Sequence, residues 1–212
     1  MKIKWLGHAS FRVEAAGKTL YFDPFVLPDK SPKADIILVT HEHFDHCDPD
    51  KIKSISTPKT RIVTTSKAAE MLSGNITIVK PGDSLEIDGI KIRAAYAYNK
   101  NKPFHTRGEY AGFVVEAEGK RIYYAGDTDV IPEMNRLQGL TVAMLPIGGT
   151  YTMTADESVD AIAAMKPKIV IPMHYNYIKG VEADAEKWKM KVEAGSMSRV
   201  VILEGGKGEL EL

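Results

Sequence analysis

The chain has 212 residues, 44% apolar and 26% charged, enough apolar material for a sizeable core in one large domain or two small ones. Lysine plus arginine equals aspartate plus glutamate, 28 against 28, so no global field draws the protein to nucleic acid or anionic lipid. The single cysteine, Cys47, excludes an internal disulfide and fits a reducing compartment.

"KIKWL" directly after Met1 reads as a first strand rather than a secretory leader. No apolar run approaches the roughly 20 residues that cross a bilayer, so a cytoplasmic location is expected. Next, "SFRVEA" and "KTLYFD" flank Gly17 as a β-hairpin, and "ADIILVT" (34–40) is a buried strand. Residues 66–72 look helical between the short strands "RIVTT" and "ITIV". "SLEIDG" and "IKIRAAYAY" continue the β pattern, and "YAGFVVEAEGKRIYYAGDTD" is a second hairpin turning at Gly119. After the buried strand "VAMLPIGG", Thr154 and Glu157 have capping-box spacing and open a helix that stops before Pro167. "KIVIPMH" is a strand ending at His174, and a last helix carries Val181, Ala185, Trp188 and Val192 on one face.

The two hairpins resemble each other. Residues 10–21 and 112–123, offset by 102, share Phe, Val, Glu, Ala, Gly, Lys and Tyr, seven matches in twelve. Alternation alone does not produce that many identities, which points to duplication. Each hairpin runs out near an aspartate, Asp23 in one half and Asp127 in the other. With about four helices and no linker between the halves, the expectation is an α+β fold: a four-layer αββα sandwich of two similar halves in a single domain, 1–212. A doubly wound α/β fold competes, but the opening hairpins count against it.

Function concentrates in "THEHFDHCDPDK", where His41, His43, Asp45 and His46 fall within six residues just past a buried strand. In an extended loop His41 and His43 point to one side, and the turn that follows can aim Asp45 and His46 at a second point nearby. Imidazole and carboxylate suit zinc, manganese, nickel or iron. Four residues do not fill two sites, and the remaining candidates lie at strand ends or loop starts: His105 in "KPFHTRG", Asp127 in "GDTD" and His174 in "IPMHY". The bland alternative is a set of loop histidines with no common target.

In type, order and spacing these residues resemble the metal motifs of the metallo-β-lactamase superfamily, over nearly the whole chain. "WLGHASF", "GDTD" and "PIGGTYTMTADE" resemble more narrowly the branch of small metal-dependent hydrolases related to ascorbate-6-phosphate lactonase and N-acylphosphatidylethanolamine phospholipase D. The resemblance implies a first metal on His41, His43 and His105, a second on Asp45, His46 and His174, and Asp127 bridging them. It also implies a structural role for Asp23 in support of the first-site histidines. Two divalent ions, zinc first among them, would activate a hydroxide for attack on an ester, lactone or phosphodiester bond, with Asp45 orienting or deprotonating the water.

Several residues remain. His8 reads either as a substrate contact or proton donor at the rim, or as a turn histidine bonded to backbone. Cys47 follows His46 but lies outside the family's sulfur motif and reads as a bystander. Tyr151 and Thr152 precede a helix N-terminus that could hold an anion, or they merely close the loop. Lys100, Lys102 and Arg107 surround His105 and could anchor a small anionic substrate, or form a solvated basic loop. Nucleic acid and membrane partners are not expected; a homo-oligomer is compatible with the sequence. Two alternatives to a hydrolase stand: an iron-dependent oxidoreductase on the same fold, and a non-catalytic metal-binding protein.

Overall fold

Alternation of apolar side chains sets the layers. In the computed structural model, which describes residues 1–212, Leu20, Phe22, Ile36 and Leu38 enter the core between two sheets. Their sequence neighbours Tyr21, Ile37 and Val39 face the opposite way, into a smaller cluster with Ile52, Ile55 and Ala68. Both faces of these central strands are therefore buried, which explains their near-continuous apolar sequences.

The first sheet holds β1 (Lys2–Gly7), β2 (Ser10–Ala15), β3 (Lys18–Phe22), β4 (Ile36–Val39), β5 (Arg61–Thr64) and β6 (Asn75–Ile78). Helices α1 (Pro49–Ile55) and α2 (Ser66–Ala69) lie between these strands in sequence, and their buried residues cover the outer face. The second sheet holds β7 (Ser84–Ile87), β8 (Ile90–Tyr96), β9 (Ala111–Ala117), β10 (Lys120–Tyr124), β11 (Val142–Pro146), β12 (Ile169–Met173) and β13 (Arg199–Val200). Helices α3 (Ala155–Met165) and α4 (Ala185–Gly195) pack together on this half, where Trp188 Nε1 donates to Ser158 Oγ at 2.7 Å. The last strand, β14 (Glu209–Glu211), returns to the first sheet beside β1. The result is an αββα sandwich, and no helix is long and apolar enough to cross a membrane.

The two sheets have one design. The order β14-β1-β2-β3-β4-β5-β6 corresponds, strand for strand, to β7-β8-β9-β10-β11-β12-β13. In each, three antiparallel pairings lead into three parallel ones. The offset of 102 also preserves register: Val13 pairs with Leu20 as Val115 pairs with Ile122, and Phe11 with Phe22 as Phe113 with Tyr124. Even the turns match, with left-handed Ala16 and Gly17 (φ 50° and 72°) answered by Glu118 and Gly119 (φ 54° and 69°).

Local signals account for the helices. Asp48 caps α1 by accepting from the N–H groups of Asp50 and Lys51, and Pro49 occupies the first turn, a start that the motif reading of this stretch passed over. Thr154 and Glu157 form the expected reciprocal capping box on α3, which ends at left-handed Lys166 before Pro167. Two expectations are corrected. The helix foreseen over 66–72 is only the single turn of α2, where Ala68 alone is buried and Met71 is exposed. Val181 lies outside α4, because Asp184 caps that helix at Lys187; Val181 is buried instead in the preceding loop.

Gly112 in β9 has an ordinary φ, yet a Cβ there would lie 2.7 Å from the carbonyl oxygens of both Tyr124 and Ala125. Gly112→Ala must move backbone and is expected to cost about 1–3 kcal/mol. Gly17→Ala has open space and only a left-handed φ of 72° to oppose it, a loss of about 1 kcal/mol. Urea unfolding of both variants checks the order; equal losses would contradict the close approach at Gly112.

Candidate metal centre

Strand ends deliver the ligands. β4 runs into His41 and His43, β10 into Asp127, and β12 into His174, while His105 arrives on the loop between β8 and β9. All seven expected metal ligands converge. The donor atoms of His41, His43 and His105 lie within 4.8 Å of one another, as do those of Asp45, His46, His174 and, in addition, His8.

Distances show what the arrangement fits. His41 Nε2 and His43 Nδ1 are 3.1 Å apart. Two nitrogens bound tetrahedrally at 2.0–2.1 Å to one zinc would be about 3.3 Å apart. Asp127 reaches both groups: Oδ1 is 3.2 Å from His46 Nε2, and Oδ2 is 3.2 Å from His174 Nε2 and 3.5 Å from His105 Nε2. Asp45 Oδ2 stands 3.6 Å from His174 Nε2 and 3.8 Å from His46 Nε2. The Nε2 atoms of His46, His105 and His174 and Oδ1 of Asp127 are buried without a hydrogen-bond partner. Polar atoms buried in this way are costly unless a bound cation engages them, so the residues fit a metal site.

Supporting residues fix which nitrogen is free. His46 donates from Nδ1 to Asp23 Oδ2 at 2.6 Å, His41 from Nδ1 to Thr40 Oγ1 at 2.8 Å, and His105 from Nδ1 to Asn99 Oδ1 at 2.8 Å. Each ring then turns Nε2 toward the centre. Asp23 also accepts from the Thr40 N–H, Thr40 Oγ1 and Tyr124 OH at 2.8, 2.6 and 2.7 Å. Its role differs from the expectation: it contacts the second-group His46 directly and reaches the first-group His41 only through Thr40. Thr40, Tyr124 and Asn99 went unnoticed in the sequence; "VTH" and the doubled tyrosine in β10 were the available signals.

His8 is corrected too. It is fully buried rather than at the rim, with Nε2 2.9 Å from Asp45 Oδ2. Its carbonyl accepts from Trp5 Nε1 and from the His174 N–H, and its ring lies 4.1 Å from that of His174. His8, Asp23 and His174 all have left-handed backbone, at φ 49°, 40° and 54°, strain that clusters at functional sites. Cys47 is buried in the small cluster under α1, and burial pushes its thiol up to about 12, as expected of a bystander.

None of the three basic residues near His105 lines the cavity at the centre. Lys102 donates to Asp129 Oδ1 and the Thr152 carbonyl at 2.6 and 2.7 Å, and Arg107 pairs with Glu133 at 2.8 Å over the rings of Tyr96 and Tyr98. Exposed Lys100 offers only its backbone N–H, to Asp129. Thr152 is buried, with Oγ1 donating to the Met153 carbonyl, whereas Tyr151 does line the cavity. That cavity, about 250 Å³, has His43, Asp45, His105 and Asp127 as its polar lining and Phe44, Phe104, Tyr151 and Ile178 as its apolar lining. The anion-anchoring expectation therefore fails for Lys102 and Arg107, whose charges are already partnered.

Electrostatics of the metal-free centre follow from burial and mutual contact. Burial depresses His41 well below the usual histidine range, aided by the neighbouring His46 cation. Burial also opposes charge on His46 and His174, but Asp127, with Asp23 and Asp45 acting on His46 and Asp45 on His174, overcomes it: His46 is held well above its ordinary value and His174 is raised to about 9. Asp127 and Asp45 stay ionised despite burial because these cations face them.

Residues 2–174 match the model of the beta-lactamase superfamily domain. A UPF0173 metal-dependent hydrolase of Pyrococcus abyssi is 38% identical, with all of both chains covered. Among solved structures, a protein of Parabacteroides distasonis described as a metal-dependent hydrolase is 32% identical with a TM-score of 0.84, covering 95% of this chain and 93% of its own. A metallo hydrolase of Ignicoccus hospitalis is 25% identical with a TM-score of 0.83, covering 100% and 98%.

Metal uptake at neutral pH must displace protons from His46 and His174, whose pKa values are raised, so affinity should fall as pH falls. Calorimetry of zinc binding in buffers of different ionisation enthalpy is expected to show release of about two protons per chain. A second outcome concerns Gly148, where a Cβ would lie 2.3 Å from the His174 carbonyl oxygen. Gly148→Ala should displace His174 and weaken metal binding by roughly 10–100-fold, measured by chelator competition.

Proposed function

The chain belongs to the beta-lactamase superfamily and is a metal-dependent hydrolase, and from that premise we propose that it works with two divalent ions, zinc first among them, on an ester, lactone or phosphodiester bond of a small molecule. The observation that carries the reading is Asp127, whose two oxygens reach histidines of both donor groups at 3.2–3.5 Å. His41, His43 and His105 would hold one ion, Asp45, His46 and His174 the other, and Asp127 both. When bound, such a pair supplies Lewis acidity and lowers the pKa of water to near 7.

The remaining work falls to the protein. Asp45 lines the cavity and is held ionised, so its carboxylate can orient the attacking water by accepting a hydrogen bond from it. His8 donates to that carboxylate at 2.9 Å and keeps Oδ2 directed at the centre, which makes it a positioning residue. Asp23, Thr40 and Asn99 fix the ligand imidazoles before substrate arrives, so little reorganisation remains at the moment of reaction.

Metal analysis and a hydrolysis screen across esters, lactones and phosphodiesters test this reading together. Two ions per reconstituted chain are expected, with turnover of at least one class. Asp127→Ala should lose both ions and lower activity by roughly 100-fold or more, whereas His174→Ala should lose mainly one. An Asp127→Ala variant that keeps two tight ions and full activity would sink the bridging role.

A further inference from the structure

Three of the four exposed aromatic side chains of the protein stand at one place. Phe44, Tyr177, Phe104 and Tyr151 are 69%, 51%, 39% and 37% exposed. Three of them line the cavity over the metal centre, and Tyr177 lies 5.9 Å from the buried ring of His8, between centroids. The other large apolar side chains that reach solvent, Met71, Ile78, Met190 and Met197, do not line it. The aromatic mouth is built rather than incidental: Phe104 meets Tyr151 edge to face at 4.9 Å, and Phe44 meets Phe25 in the same way at 5.9 Å.

A latch holds the Phe104–Tyr151 side in place. Lys102 binds Asp129 and the Thr152 carbonyl, and Asn99 Nδ2 donates to Asp129 Oδ1 at 3.0 Å and to the Tyr151 carbonyl at 2.9 Å. The same bonds occupy the Lys102 ammonium, and no lysine or arginine lines the cavity. Charge is thus confined to the metal-binding floor. A carboxylate or phosphate carried away from the scissile bond would meet aromatic carbon and no cation in the cavity lining, and the partial loss of its water there is unfavourable.

We propose that the substrate carries, beyond its scissile bond, an uncharged aromatic or branched apolar group seated among Phe44, Phe104, Tyr151 and Ile178. The proposal rests on the hydrolytic reading and names the substrate class for the same site. The cavity of about 250 Å³ suits one ring with a short arm, since a cavity of about 150 Å³ accommodates benzene. Any negative charge on the substrate belongs at the reacting centre itself, facing the ions.

Two measurements on the zinc-reconstituted full chain test it. In the first, kcat/KM for phenyl acetate is compared with that for 4-carboxyphenyl acetate, each corrected for its reactivity with free hydroxide; kcat/KM is insensitive to reversed, non-productive binding of the carboxylate. The neutral ester is expected to be favoured by about tenfold or more, and Phe104→Ala or Tyr151→Ala to lower kcat/KM for phenyl acetate about tenfold more than for methyl acetate, mainly through KM and with metal content unchanged. The second needs no turnover: calorimetry should find acetophenone bound about tenfold more tightly than butanone, with the preference lost in both variants. A carboxylated ester used as well as the neutral one, or acetophenone bound no better than butanone, overturns the proposal. Absence of turnover with every ester, lactone and phosphodiester, beside the expected acetophenone preference, overturns the hydrolytic reading and leaves the apolar seat standing.

Discussion

One buried carboxylate holds the two halves of the molecule to a common centre. Asp23 has no exposed surface and accepts from the Thr40 N–H, Thr40 Oγ1, His46 Nδ1 and, from the other half, Tyr124 OH. An isolated buried carboxylate is costly; one with four donors is compensated and directional. Each donor leads somewhere. Thr40 orients His41, His46 enters the second donor group, and Tyr124 ends the hairpin strand that precedes Asp127. Ser10 Oγ in turn binds the Asp23 carbonyl and accepts from Phe25 and Val26, which fixes the left-handed turn that delivers the carboxylate. Loss of this one side chain would loosen ligands on both sides of the centre at once.

The same logic makes the metal centre a structural debt in the metal-free chain. Buried nitrogen and oxygen atoms of His46, His105, His174 and Asp127 have no partner, and left-handed His8 and His174 sit back to back beneath them. Cations that engage these atoms in place of protons bind the native state more tightly than the unfolded chain, so metal affinity and folding stability are linked. Rigid support from Asn99, Thr40 and Asp23 keeps the donors in place without metal, at the expense of local strain.

Much of this was legible in the sequence because the constraints are local. His41, His43, Asp45 and His46 follow a buried strand, and their spacing alone aims them at two nearby points; the hairpin identities at an offset of 102 anticipated the doubled sheet. Strand ends bearing Asp127 and His174 were likewise readable, since a polar residue after an apolar run marks an edge where chemistry is reachable. What failed was everything that depends on who stands opposite. Lys102 and Arg107 count as cations in a sequence, but Asp129 and Glu133, 27 and 26 residues on, neutralise them. The turn at His8 is readable and its burial is not, so a rim contact and a turn histidine bonded to backbone stayed equally open, and the ring's bond to Asp45 was neither. Asp23 does support first-group His41, through Thr40, but its direct bond to His46, 23 positions away, is not selected by anything in the spacing.

Strand order carries a further meaning. Within each seven-stranded sheet, neighbours in space follow one cyclic succession, interrupted only where β14 lies beside β1. There the chain ends nearly touch: the Leu212 N–H donates to the Met1 carbonyl at 3.0 Å, and Lys2 pairs with Glu211. Begun instead at Ser84, the same fold would read as two tandem copies, β7 to β13 and then β14 to β6, each sheet contiguous in sequence. Strand for strand the two sheets repeat one pattern, and the metal centre takes its donors from the ends of strands in both.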